Sequence, residues 1–267
     1  MPILQSNGIN LYYEQKGSGH PLLLIMGITA TGSVWEKHIA YWQNNFSCIT
    51  VDNRGVGLSD QPEGPYSTEQ MADDYAGLLD ALHLSKVRVV GCSMGSAIAQ
   101  QLAIRHPEKI ISMVLMCPWP RGDNRAKAIF QHIVNCKINF APEAFSLFIQ
   151  LLIYSKSFWD DDTSYEAMAN DRQKSATEKQ VQSVQGLSGQ AAACINHDVL
   201  EMLPQINQPV LVIGGTDDIF TPLWMASAVA SAIPKGELYM YNGCGHAFHW
   251  EQLTDFNERV MNWLLIH

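Results

Sequence analysis

The chain has 267 residues, 47% of them hydrophobic and only 16% charged, where an ordinary soluble domain carries roughly 25% charged residues. That length supports one large core, and the mixed, charge-poor composition excludes disorder, coiled coil and collagen. Twenty-six acids against 17 bases give a net charge of −9, and no dense Lys/Arg cluster offers a footprint for nucleic acid.

Residues 3–5 and 9–14 flank Asn7-Gly8, a hairpin signal, and the second run alternates like a half-exposed strand. Strands follow at 22–26, 47–51, 87–91, 111–117, 210–214 and 237–241. Their unbroken aliphatic character suits strands covered on both faces. Helical spacing fills the intervals at 35–43, 68–83, 94–106, 223–233 and 253–266. The β–α–β order predicts an α/β fold: an eight-stranded, mostly parallel sheet with helices on both faces and right-handed crossovers.

The rhythm stops between Trp119 and about Leu203. Helices are predicted there at 126–138, 143–154, 164–174 and 177–195, with no strand. The second is apolar nearly all round (Phe145, Leu147, Phe148, Ile149, Leu151, Leu152, Ile153), unlike a solvent-facing helix. A helical cap over the end of the sheet accounts for it. The predicted division is a core of residues 1–119 and 204–267, with a cap of residues 120–203 inserted after the sixth strand.

Gly91-Cys92-Ser93-Met94-Gly95 stands between the run at 87–90 and the helix from Met94. A strand-to-helix turn of this kind holds a serine strained and exposed, while its glycines relieve crowding. The helix start adds free N–H groups and a positive dipole end. A serine hydroxyl needs a base to take its proton. Folds with this turn order their partners Ser, then Asp/Glu, then His. The next strand beyond the cap ends in Gly214-Gly215-Thr216-Asp217-Asp218, and the last strand ends in Asn242-Gly243-Cys244-Gly245-His246. Carboxyl ends of parallel strands are where such sheets gather their chemistry.

These segments resemble the α/β-hydrolase family in order and across nearly the whole chain. Leu23-Leu24-Ile25-Met26-Gly27, the run Asp52 to Asp60, the serine turn, the Gly-Thr-Asp-Asp loop, and Gly245-His246 followed by Glu251 carry the resemblance. The junction His197-Asp198-Val199-Leu200 through Pro209 to Ile213 is similar to the small, capped esterase and enol-lactone-hydrolase-like branch. The resemblance implies a catalytic set of Ser93, Asp218 and His246, with the backbone N–H groups of Ile28 and Met94 as the oxyanion hole. Two residues depart from the pattern. Met26 stands where the family commonly has a histidine, and Ser96 replaces a frequent glycine.

The family position of the acid selects Asp218 over Asp217, and the loop position selects His246 over His249. His246-x-x-His249 lacks the His-Glu-x-x-His pattern and a third ligand, so no metal is expected. His20, His38, His83, His106 and His132 read as surface or helix-end residues. Gly55-x-Gly57 lacks a third glycine and a helix start, so no dinucleotide is expected, and Arg54 reads as holding carbonyls or carboxylates in a turn.

The implied reaction is hydrolysis of a carboxylic ester or lactone of a small, largely apolar substrate through an acyl-enzyme. Carbon–carbon bond hydrolysis of a diketone-like substrate uses the same set. A small-ligand receptor with vestigial hydrolysis is the non-enzyme alternative. The pocket is expected to involve Met26, Trp119, Phe145, Phe148 and Trp159, without cofactor.

The longest apolar runs, 21–28 and 145–154, fall short of the ~20 residues of a membrane span. Residues 1–4 offer no basic start leading into a long apolar segment, so no secretory signal is expected. None of the six cysteines forms Cys-x-x-Cys, which suits free thiols in a reducing cytoplasm. A small molecule is the expected partner of a monomer or homodimer.

Overall fold

A single twisted sheet organises the protein. The computed structural model describes residues 2–177 and 182–267. Met1 and residues 178–181, which fall within the helix predicted over 177–195, lie outside the described residues. The strands are β1 (Ile3–Ser6), β2 (Ile9–Lys16), β3 (His20–Ile25), β4 (Phe46–Val51), β5 (Val87–Cys92), β6 (Ile110–Met116), β7 (Val210–Gly215) and β8 (Gly236–Tyr241). They lie in the order β1-β2-β4-β3-β5-β6-β7-β8. β1–β2 and β2–β4 pair antiparallel, and every later pairing is parallel. Asn7 and Gly8 both take positive φ, as a tight two-residue hairpin requires.

Alternate residues of the central strands feed two cores. Leu23 and Ile25 of β3 point to the face covered by α2 (Thr68–Ala81), α3 (Met94–Arg105) and α9 (Leu223–Ala232). Leu22 and Leu24 point to the opposite face, against α1 (Glu36–Trp42) and α11 (Leu253–Ile266). This is why the strands read as unbroken apolar runs and why charge is scarce in them.

Among the described residues, α4 (Asn124–Asn139), α5 (Pro142–Ile153), α6 (Lys156–Asp160), α7 (Asp162–Thr177) and α8 (Val184–Asn196) stand between β6 and β7. α6 escaped the sequence reading because a single turn has no periodicity to detect; its signal is Ser155, whose side chain caps the Phe158 N–H. The two ends of this insert are clasped. Arg121 and Asp198 form an isolated antiparallel bridge and a 2.6 Å ion pair, and the Val199 N–H donates to the Pro120 carbonyl at 2.8 Å.

His38 is fully buried, correcting its reading as a surface or helix-end residue. It stacks on Trp42 and pairs with Asn257 (2.6 Å) and His249 (3.0 Å). Burial pushes its pKa down to about 3, and burial likewise pushes His197 down to about 4. Both stay neutral in the native state while the unfolded chain takes up protons near the ordinary value of about 6.5. Their stability contribution is therefore complete above that value. It is lost as pH falls, at about 1.4 kcal/mol per pH unit for each histidine, until the folded values are reached. Urea unfolding midpoints are expected to drop between about pH 7 and about pH 5, and to drop less in a His38→Gln variant.

Candidate active site

Ser93 leaves β5 at φ 54° and ψ −118°, a strained conformation for a residue with a side chain. The turn is possible because glycines stand two residues away on either side, at 91 and 95. A Cβ on Gly95 would lie 2.1 Å from the Ile25 carbonyl oxygen, and one on Gly91 would lie 2.5 Å from the Gly95 carbonyl oxygen. Ser96, in place of a third glycine, fits: it is fully buried, with its hydroxyl 2.6 Å from the carbonyls of Gly91 and Met116.

Asp218 and His246 come from the loops after β7 and β8. His246 Nδ1 lies 2.8 Å from Asp218 Oδ2. The carboxylate is held by three more donors: the N–H groups of Phe220 (2.7 Å) and Thr221 (2.9 Å) on Oδ1, and the Thr221 hydroxyl (2.8 Å) on Oδ2. Asp217, by contrast, is exposed and accepts from Thr216 at 3.2 Å. Burial is the largest influence on His246 and disfavours its charged form. The charge and hydrogen bond of Asp218 outweigh it, so the imidazole pKa is raised above 6.5.

Ser93 and His246 line one cavity of about 250 Å³. Its walls are mostly apolar, with Ile133, Ile149, Leu152, Ile153, Phe220 and Trp250, and carry Thr29, Gln150, Tyr154, Asp171 and His249 as polar members besides Ser93 and His246. Of the residues predicted for the pocket, Met26 lines it. Trp119 is buried against Phe130 and His197 instead. Phe145 lies under Lys137 and Phe148 meets His132, neither lining the cavity, and Trp159 meets Arg172 and Tyr165. The residues of α5 that line the cavity are Ile149, Gln150, Leu152 and Ile153.

The loop after β3 passes close to the serine: a Cβ on Gly27 would come 3.1 Å from Ser93 Cβ. Ile28 lines the cavity. Met94 is fully buried behind Ser93 as the first residue of α3, where an N–H has no acceptor within its own helix. Asn53 donates to the Met26 carbonyl (2.8 Å), and Gln190 accepts from the Thr29 N–H (3.3 Å), so this loop is tied at both ends. Arg54 forms a buried two-point ion pair with Asp74, both contacts 2.6 Å. Glu251 accepts from the Gly245 N–H (3.2 Å) and from the Ser155 N–H and hydroxyl (2.9 and 2.8 Å), joining the histidine loop to the insert.

Donor atoms of Cys117, Asp218 and His246 lie within 4.8 Å of one another. The four hydrogen bonds on Asp218 use its lone pairs, so the cluster is better described by proton donors than by a cation. The sequence reading missed Thr221, Gln190 and Cys92 at this site. Only Cys92 was signalled, by its place beside the serine.

A family model for the alpha/beta hydrolase fold matches residues 20–253. The chain belongs to the α/β-hydrolase family. Among its relatives is a Mycobacterium tuberculosis protein provisionally named non-heme bromoperoxidase BpoC, 32% identical over 259 residues, covering 95% of this chain and 97% of the relative. Among solved structures, an esterase from Thermogutta terrifontis superposes with a TM-score of 0.85 at 25% identity, covering 99% of this α/β-hydrolase and 98% of the esterase. The enol-lactonase of Burkholderia xenovorans, at 23% identity and TM-score 0.88 over 99% of this chain and all 100% of its own, shares the fold. The family supports hydrolase activity on a small molecule, and no helix among the described residues is long and apolar enough to cross a membrane.

Proposed function

We propose that this α/β-hydrolase is a serine hydrolase cleaving a carboxylic ester or lactone of a small, largely apolar substrate. The observation that carries this is His246, paired with the buried Asp218, facing with Ser93 one mostly apolar cavity. His246 takes the Ser93 proton as Oγ attacks the acyl carbon. Asp218 fixes the imidazole tautomer and stabilises the imidazolium. The N–H groups of Ile28 and Met94 receive the tetrahedral oxygen. His246 returns its proton to the leaving oxygen, then activates water to hydrolyse the acyl-enzyme. Because the donors are main-chain groups, Met26 in place of histidine leaves this chemistry available. Residues 120–203 act as a cap over the serine, no cofactor or metal takes part, and the buried free thiols suit a cytoplasmic protein.

Labelling by a fluorophosphonate probe, alongside a panel of aryl esters, lactones and a ring-cleavage dienone, tests the reading. Labelling with ester or lactone turnover is the expected result. Turnover of the dienone alone would move the assignment to carbon–carbon hydrolysis, and tight binding without turnover would move it to a receptor.

The base must be neutral to act, and its pKa is raised, so activity is lost as pH falls through a value above that of free imidazole. The acid limb of kcat/KM is expected above pH 6.5. A limb at or below that value would contradict the role of Asp218.

A further inference from the structure

The cavity wall holds a second set of reactive groups that ester hydrolysis leaves unused. Cys92 lines the cavity beside Ser93. Cys117 follows β6 at φ 50°, another strained position, with its Sγ 3.1 Å from the His246 carbonyl oxygen. The register sets Cys92 opposite Met116, so the two cysteines are one step apart on neighbouring strands. Such strands lie about 4.8 Å apart, and a disulfide spans Cα separations of about 4.4–6.8 Å. His249 lines the same cavity as Cys92.

His249 is itself oriented. Its Nδ1 lies 3.0 Å from His38 Nε2, and His38 Nδ1 lies 2.6 Å from Asn257 Oδ1. With the amide oxygen accepting, His38 carries its proton on Nδ1 and accepts from His249 Nδ1. The Nε2 lone pair of His249 is then left as a base. Burial holds His38 neutral, so the relay keeps its direction.

The two thiols differ. The Cys117 hydrogen bond, against the opposing effect of burial and with help from His249 and His246, lowers the Cys92 pKa. Burial, then Cys92, raises that of Cys117. Burial pushes Cys48 up to about 12 and Cys244 up to about 11, and raises Cys136 and Cys194. Low-pKa thiolates beside a second thiol are the ones that oxidise selectively.

We propose that Cys92 is a hydroperoxide-reactive thiol and Cys117 its resolving partner, a modification site within the wall of the cavity. His249 Nε2 takes the Cys92 thiol proton, the sulfur attacks one peroxide oxygen, and the O–O bond breaks. The hydroxide that leaves takes the proton held by His249 and departs as water. Cys117 sulfur then attacks the sulfenic sulfur, the S–O bond breaks, and a second water leaves with the Cys117 proton. Two thiols lose two electrons to one peroxide. The bridge joins the ends of β5 and β6 and withdraws Cys117 from the His246 carbonyl.

The test is peptide mapping of the whole protein after hydrogen peroxide, with alkylation under denaturing conditions. The expected product is a Cys92–Cys117 cross-linked peptide, lighter by two hydrogens, with Cys48, Cys136, Cys194 and Cys244 alkylated. In Cys117→Ser, dimedone is expected to trap a sulfenic acid on Cys92. Adding His249→Gln to that variant is expected to slow trapping roughly tenfold. No cross-link, or a cross-link between other cysteines, overturns the proposal. So does dimedone capture on Cys117 in a Cys92→Ser variant. An unchanged trapping rate overturns the part given to His249. The wild-type map decides even where a variant fails to fold.

Discussion

Replacing Ser93 with alanine is expected to lower kcat by about 10⁶-fold and to abolish fluorophosphonate labelling. The size follows from cooperation: without Oγ, the base has no proton to take and no acyl-enzyme forms, so removing one member costs nearly as much as removing all. The donors proposed at Ile28 and Met94 are expected to leave a residual acceleration of about 10³ over water. Alanine at φ 54° carries the same backbone strain as serine, so the fold should persist, which circular dichroism and urea midpoints will register. Undiminished labelling of Ser93→Ala would remove the serine from the mechanism.

Asp218→Asn is expected to cost about 10⁴ in kcat, whereas Asp217→Asn should stay within about twofold of wild type. Oδ1 of Asp218 is committed to the N–H groups of Phe220 and Thr221. An asparagine that keeps those bonds turns its NH2 toward His246 Nδ1 and enforces the wrong tautomer. Asp217 is exposed, and among the described residues its carboxylate accepts only from the hydroxyl of its neighbour Thr216. Steady-state kinetics on a responsive ester distinguish the two, and the reverse order would transfer the acid role to Asp217.

The strands were legible because burial on both faces leaves an unbroken aliphatic signature, as in Leu22–Ile25, whose members divide between two cores. Ser93, Asp218 and His246 stood out because each follows a strand in a glycine-bearing loop. Less legible was whatever depends on side chains meeting across long separations. Gln190 reaches the Thr29 N–H from 161 residues away, and no local pattern marks a glutamine for that task. His38 meets His249 across 211 residues, so its burial could not be read from a helix-end position. The aromatic residues proposed for the pocket were chosen by hydrophobicity, which does not say which side of α5 meets the cavity.

The Arg121–Asp198 clasp bears on how such a protein changes over generations. It closes a segment whose ends are 77 positions apart. Closing a longer or shorter segment alters the entropic cost only slowly, by about 0.6 kcal/mol for each doubling of length. Insertions and deletions between the clasped ends thus cost the sheet little, provided the clasp is kept. The part of the cavity wall that the insert supplies can therefore be rewritten while the sheet that carries Ser93, Asp218 and His246 stays as it is.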